Sequence, residues 1–305
     1  MTWSGIFPAT TTKFTEDGSL DIAEIERCIA IQIDAGVDGL IIGGSLGEGS
    51  MLELEEKIEV LKTAVNVAAG RIPILGTISE PSTAAGQQMA AAAEAAGADG
   101  LMVIPSTIYF TDRRESIANL RAIVAGSALP IMVYINPLAY RVDITPDMLE
   151  ELADEPKLVA IKESSDDIRR TTEVINRVGD RYRIFTGVDN LALESLIMGA
   201  HGWVAGLVNA FPAETVAIYR LAQAGRIDEA RAIYRWFRPL LDLDVNTKLV
   251  QNIKLAEALA IGSNDRVRMP RLALAGSERA EVEAVITKAM AERPVLPELE
   301  SPKAA

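Results

Sequence analysis

Eight short runs rich in Val, Ile and Leu punctuate the chain, and they constrain its fold more than any other feature. They are "GIFPATTT" (5–12), "DGLIIGG" (38–44), "IPILGTI" (72–78), "DGLMVIP" (99–105), "PIMVYI" (130–135), "LVAIK" (158–162), "RIFTG" (183–187) and "GWVAGL" (202–207). Between most of them lie stretches of helical period, such as "LDIAEIERCIAIQIDAG" and "TPDMLEELAD". Strands that alternate with helices run parallel, because each crossover helix carries the chain back to the same end of the sheet. Near-continuous apolar character then means burial on both faces. Three helix-to-strand junctions also resemble one another: "AGVDGLIIGG" (35–44), "AGADGLMVIP" (96–105) and "GAHGWVAGL" (199–207). Glycine at such a junction tolerates a positive φ and lets helix and strand approach closely. An open doubly wound sheet would use similar turns, but eight strands with internal similarity favour a closed barrel of repeated units. The fold class expected is α/β, a TIM (β/α)8 barrel, over residues 1–225.

Beyond the eighth run, residues 212–290 read almost wholly as helix. One helix closes the barrel, so 226–292 are expected to form a C-terminal helical extension packed on it. The last stretch, 293–305, holds three prolines and is expected to be a loose or surface-hugging tail. The 49% hydrophobic content and mean hydropathy of +0.17 supply a large core and leave apolar surface for oligomer contacts. A net charge of −13 with no basic run longer than two arginines argues against nucleic acid. A small anionic substrate remains compatible if local dipoles receive it. One cysteine, Cys28, and one histidine, His201, leave no intrachain disulfide and no Cys/His zinc cluster, and no cofactor is expected. The opening "MTWSGIFPATTTKF" lacks the layout of a signal peptide, and no apolar run approaches a membrane span. A soluble cytoplasmic protein with no membrane partner is the expectation.

A parallel barrel builds its active site at the C-terminal ends of its strands, so the residues closing each run are the candidates. Lys162 ends the sixth run, in "LVAIKESS" (158–165). A buried unpaired ammonium is costly, and such a group often loses its proton. The neutral amine then attacks a carbonyl to form a Schiff base, whose protonated imine is an electron sink. The competing view is a lysine with its stem on apolar surface and its head in water. Placement at the barrel rim, with Tyr134 on the adjacent strand, favours the chemistry. A phenol beside an amine can shuttle protons while the carbinolamine forms and collapses, although a tyrosine alone is an ordinary strand residue.

"GGSLGEGS" (43–50) follows the second run and lacks both GxGxxG and GK[ST], so it is no nucleotide loop. Its backbone N–H groups can cradle a carboxylate without net positive charge. The plainer alternative is a βα turn in which Ser or Glu caps the next helix, and Glu48 is read as structural. "IPSTIYF" (104–110), "TGVDN" (186–190) and "AGLVN" (205–209) occupy the same rim, and Gly206 in the last is a candidate substrate-binding position. His201 precedes the eighth run at the opposite end and is read as structural. Cys28 is read as core, and Trp3, Trp203 and Trp236 are too scattered for a stacking platform. "RVRMPRL" (266–272) is expected to neutralise nearby carboxylates.

Four segments together resemble a known family: "GSLGE" (44–48), "YINP" (134–137), "IKESS" (161–165) and "NTKLVQNIKLAEALAIG…RMPRL". The chain is similar to the dihydrodipicolinate synthase and N-acetylneuraminate lyase family from "GIFPATTTKFTEDGSLD" to about residue 290. The resemblance implies a barrel of class I aldolases, dehydratases and deaminases, commonly homotetrameric and needing no metal. It implies Lys162 as the Schiff-base lysine and Tyr134 as the proton-shuttling tyrosine. Gly44, Ser45, Leu46 and Gly47 would form the loop that binds the keto-acid carboxylate. Three departures stand out. Ser45 and Leu46 replace two threonines, Thr107 aligns with a tyrosine that serves a relay between subunits, and Ala139 aligns with an arginine that meets a second carboxylate. Arg141 lies two residues late for that arginine. Lysine biosynthesis is therefore not expected. "YINPLAYRVDITP" with "GSLGE" is similar to bacterial deaminases of hydroxyproline breakdown. These convert 1-pyrroline-4-hydroxy-2-carboxylate to 2-oxoglutarate semialdehyde and ammonia, so the partner implied is a small anionic keto or cyclic imino acid. The alternatives are a 2-keto-3-deoxy sugar acid dehydratase or aldolase, and a catalytically silent barrel that senses a keto acid.

Overall fold

The structure, a computed structural model, describes residues 3–105 and 109–298. Eight strands form: β1 (Gly5–Pro8), β2 (Leu40–Ile42), β3 (Ile74–Ile78), β4 (Gly100–Val103), β5 (Ile131–Ile135), β6 (Leu158–Glu163), β7 (Arg183–Thr186) and β8 (Gly202–Ala205). Seven of the connections around them carry helices: α1 (Ile22–Asp34), α2 (Leu54–Ala68), α3 (Thr83–Ala95), α4 (Arg113–Ala125), then α5 (Pro137–Tyr140) with α6 (Pro146–Glu151), α7 (Arg169–Val178) and α8 (Ala192–Ile197). All registered pairs are parallel, in the order β1-β8-β7-β6-β5-β4-β3-β2. The two ends of that order meet. Ala9 bridges Ile41, Thr10 N donates to Ile41 O at 3.0 Å, and Asp38 N donates to Ile6 O at 2.8 Å. The expected TIM barrel forms, and closure removes the sheet edges that an open sheet would expose.

The strands are almost wholly buried, as a barrel walled by helices requires. Side chains fill the interior: Phe7 and Phe185 meet edge to face with centroids 5.0 Å apart. Gly202 leaves room for that packing, since an added Cβ would lie 2.3 Å from the Phe185 ring. Strands are shorter than the apolar runs that announced them. The first run continues past Pro8 as "ATTT", whose hydroxyls turn the chain out of the sheet. Thr10 donates to Ile41 O, Thr12 to Gly47 O, and Thr11 to the Glu257 carboxylate.

After β8 come α9 (Pro212–Gln223), α10 (Ile227–Leu241), α11 (Leu249–Ile261) and α12 (Gly276–Ala291). The helical extension is fastened to the barrel by two ion pairs whose four side chains are fully buried, Lys13–Glu257 at 2.6 Å and Lys254–Glu48. Beyond α12 the chain hugs the surface as far as it is described. Arg293 grips the buried Glu214, and Glu298 O accepts from Arg226 at 2.9 Å. Among the described residues no helix is long and apolar enough to cross a membrane.

Candidate active site

Lys162 and Tyr134 are register partners on β6 and β5 and meet near the C-terminal end of the barrel. Both are buried, at 7% and 6% exposure. The Lys162 ammonium nitrogen lies 3.9 Å from the centre of the Tyr134 ring. It pairs with no carboxylate and donates no hydrogen bond among the described residues. Burial therefore pulls its pKa down, and the nearby Tyr140, Asp244 and Asp189 oppose that only in part. A neutral amine is the form that attacks carbonyl carbon. Gly187, after β7, makes the space: a Cβ there would lie 2.4 Å from Lys162 Cε.

Tyr134 is held by its own loop. Asn136 Nδ2 donates to the Tyr134 hydroxyl at 3.1 Å, while Asn136 Oδ1 caps α5 by accepting from Ala139 N at 2.9 Å. The short helix α5, begun by Pro137, then brings Tyr140 back over Tyr134, with ring centroids 5.6 Å apart and nearly perpendicular. The Tyr140 hydroxyl shares a hydrogen bond with the Ser45 hydroxyl. Burial raises the pKa of both tyrosines, so both are protonated and able to donate at neutral pH. The result is a cluster of hydroxyls, from the loop after β2 to the strand beside Lys162, within one chain. Tyr140 lay inside "YINPLAYRVDITP" but was not singled out, because six residues from Tyr134 in sequence says nothing of contact across a four-residue helix.

The loop 43–50 is partly unsatisfied. Glu48 N donates to Ser45 O and Gly49 N to Gly44 O, whereas the N–H groups of Ser45, Leu46 and Gly47 donate to nothing among the described residues. Free N–H groups in succession are what an anionic oxygen needs. Gly47 approaches Thr10 so closely that an added Cβ would lie 2.8 Å from Thr10 O. Glu48 points into protein, where it binds Lys254 and accepts from Arg268 N at 3.1 Å, with Arg271 at 3.8 Å. Neither Ser45 nor Glu48 caps the next helix. That task falls to Glu53 and Glu56, which form a capping box on α2. The basic "RVRMPRL" segment does meet carboxylates, Arg268 gripping Glu56 at 2.7 and 2.8 Å.

Gly206 follows β8, and its N–H is engaged within the protein, donating to Asp189 at 3.1 and 3.2 Å. What it contributes is space, for an added Cβ would lie 2.6 Å from Asp244 Oδ1. Asp189 and Asp244 thus join the site, the first from "TGVDN" and the second from the turn Asp242–Asp244 after α10. Burial raises both carboxyl pKa values, most for Asp244, which also feels Asp189. Arg141 is exposed and stacks over Phe110 at 5.6 Å. Thr107 lies outside the described residues. His201 accepts from Ile184 N at 3.0 Å where β8 begins, far from the rim, and Cys28 is buried against Ser263. No group of three or more His, Cys, Asp or Glu is placed to hold a metal ion among the described residues.

A family-wide sequence profile, that of the dihydrodipicolinate synthetase family, matches residues 2–289. The 4-hydroxy-tetrahydrodipicolinate synthase of Exiguobacterium sibiricum is 32% identical over 281 residues, covering 91% of this chain and 94% of that protein. The crystal structure of dihydrodipicolinate synthase from Aquifex aeolicus superposes with a TM-score of 0.89 at 27% identity, over 94% of this chain and 98% of the other. The Escherichia coli K12 family member YagE, solved in complex with pyruvate, gives a TM-score of 0.89 at 26% identity, over 94% and 99%. The chain belongs to the dihydrodipicolinate synthetase family, a family of lyases.

Proposed function

We propose that the protein is a Schiff-base-forming deaminase acting on 1-pyrroline-4-hydroxy-2-carboxylate. The observation that carries the chemistry is a buried amine, Lys162, with no counter-ion and with a phenol ring 3.9 Å away. The Lys162 amine adds to C2 of the cyclic C=N, and breaking the bond from C2 to the ring nitrogen opens the ring onto a lysine imine. That imine acidifies C3–H; loss of the C3 proton and of the 4-hydroxyl as water follows. A proton shift from C5 to C3 along the conjugated chain turns the C5 amine into an enamine and then its imine tautomer; hydrolysis of that imine at C5 frees ammonia, and hydrolysis at C2 frees the lysine and 2-oxoglutarate semialdehyde. Tyr134, with Tyr140 and Ser45 behind it, handles the protons, and the N–H groups of Ser45, Leu46 and Gly47 receive the carboxylate.

The relative solved with pyruvate supports a 2-keto or 2-imino acid as the reacting class. Departure from the synthases is supported by the position of Arg141, which stacks outward on Phe110. A homo-oligomer is also proposed, supported by exposed Tyr109, Phe110 and Leu138, at 58%, 68% and 69% exposure. Sedimentation as a single 32.8 kDa species would contradict that assembly. The substrate assignment is tested by measuring ammonia release from the hydroxypyrroline carboxylate beside turnover of 2-keto-3-deoxy sugar acids. Ammonia is expected; its absence with turnover of the sugar acids would move the protein to the dehydratases or aldolases. Absence of both would leave a sensing barrel.

A further inference from the structure

Two carboxyl groups, Asp189 and Asp244, stand near Lys162. The two carboxyl groups are not equivalent. Asp189 is fully buried and its oxygens are engaged, accepting from Trp203 Nε1 at 2.8 Å, Leu207 N at 2.9 Å and Gly206 N at 3.1 and 3.2 Å. Asp244 is partly exposed and has neither a hydrogen bond nor an ion pair among the described residues. It is nonetheless placed with care. The turn that carries it is tied by Asn190 Nδ2 to Asp242 at 2.8 Å, and only a glycine at 206 lets its carboxyl rest against the end of β8.

The barrel's geometry says which part of a substrate reaches Asp244. Lys162 stands on β6, and the loop with free N–H groups follows β2 on the opposite wall. A substrate joined through C2 to Lys162, with its carboxylate in that loop, must lay its remaining carbons to one side. The side of β5 is filled by Tyr134 and Tyr140, whose rings pack together. The side of β7 and β8 ends at Asp244.

We propose that Asp244 reads the distal end of the substrate, accepting a hydrogen bond from a hydroxyl beyond the imine carbon. This rests on the Schiff-base assignment of Lys162 above. A hydrogen bond to a carboxyl changes binding by about tenfold. Asp244 is thus a specificity-determining residue delivered to the barrel by the C-terminal extension.

Borohydride trapping of the full chain tests this with three probes: pyruvate, which has no distal group, 4-hydroxy-2-oxopentanoate, and 2-oxoglutarate. Half-trapping concentrations are expressed relative to pyruvate for each protein. The wild-type chain is expected to favour the hydroxy acid over the dicarboxylate. Asp244→Ala should weaken the hydroxy acid relative to pyruvate by about tenfold, and Asp244→Asn, whose amide oxygen still accepts, should weaken it by less. Gly206→Ala, which displaces the carboxyl, should behave like Asp244→Ala. Circular dichroism verifies that each variant is folded. A preference unchanged in both Asp244 variants overturns the proposal while the Schiff-base assignment stands. A wild-type chain that forms no adduct with pyruvate overturns the assignment, and this inference with it.

Discussion

Lys162 and Lys254 are both buried lysines near the mouth of one barrel, and their surroundings are opposite. Lys254 is fully buried with Glu48 as its ion partner, donates to Arg266 O at 2.6 Å, and lies 4.5 Å from the Phe14 ring. Burial lowers its pKa to about 8, and Glu48 limits the drop, so it stays largely charged at neutral pH. Lys162 has an aromatic ring but no carboxylate partner and no acceptor among the described residues. The contrast separates a lysine that fastens from the lysine proposed for chemistry. A buried ammonium that finds a carboxylate holds two parts of the structure together, here the loop after β2 and the helix α11. A buried amine without one is held ready to lose its proton and react.

Exchanging the two environments should break the protein in different ways. Lys162→Met is expected to abolish turnover and adduct formation while leaving the thermal midpoint unchanged or higher, because it removes a buried polar group that has no partner. A midpoint several degrees lower would show that Lys162 is structural. Tyr134→Phe keeps the ring and deletes the hydroxyl, and should slow turnover by about 10²–10⁴-fold at near-normal stability. Normal kcat in that variant removes the proton-handling role. Lys254→Met leaves Glu48 buried without its main counter-charge, and should cost about 3 kcal/mol in chemical denaturation. Adding Glu48→Gln in the same chain should recover most of that loss, and failure to recover would mean that packing, not charge, makes the fastening. Tyr140→Phe should lower kcat by about tenfold and shift the basic side of the pH profile, which a purely packing role would not do. The smallest effect is on pH dependence. The pKa of Lys162 is lowered by burial, so the rate of imine formation should rise with pH through a value below 10.5. A rise only near 10.5 would show an ordinary solvated lysine.

The barrel itself was legible because burial on both faces leaves a repeated mark, eight apolar runs with helical spacers. Lys162 and Tyr134 were legible because each closes or nearly closes a run, and strand ends in a parallel barrel share one rim. Other members of the site had no such local mark. Asp244 lies in "LLDLDVNT", within what reads as helical appendage, and only the packing of α10 against the barrel brings it beside Gly206. Tyr140 depends on a four-residue helix whose existence Pro137 permits but does not announce. Glu48 was read as structural, yet its partner, Lys254, is 206 residues away, a pairing that spacing along the chain does not reveal. Sequence periodicity reports on strands and helices; it is silent on contacts made after the whole chain closes.

The most direct test asks which buried lysine forms an imine. The full chain is treated with pyruvate and borohydride, digested, and every lysine-containing peptide is weighed. The expected result is a single reduced adduct on Lys162, with Lys254 and Lys13, buried at 0% exposure against 7% for Lys162, unmodified. An unmodified Lys162, or an adduct on Lys254 or Lys13 in its place, would contradict the account.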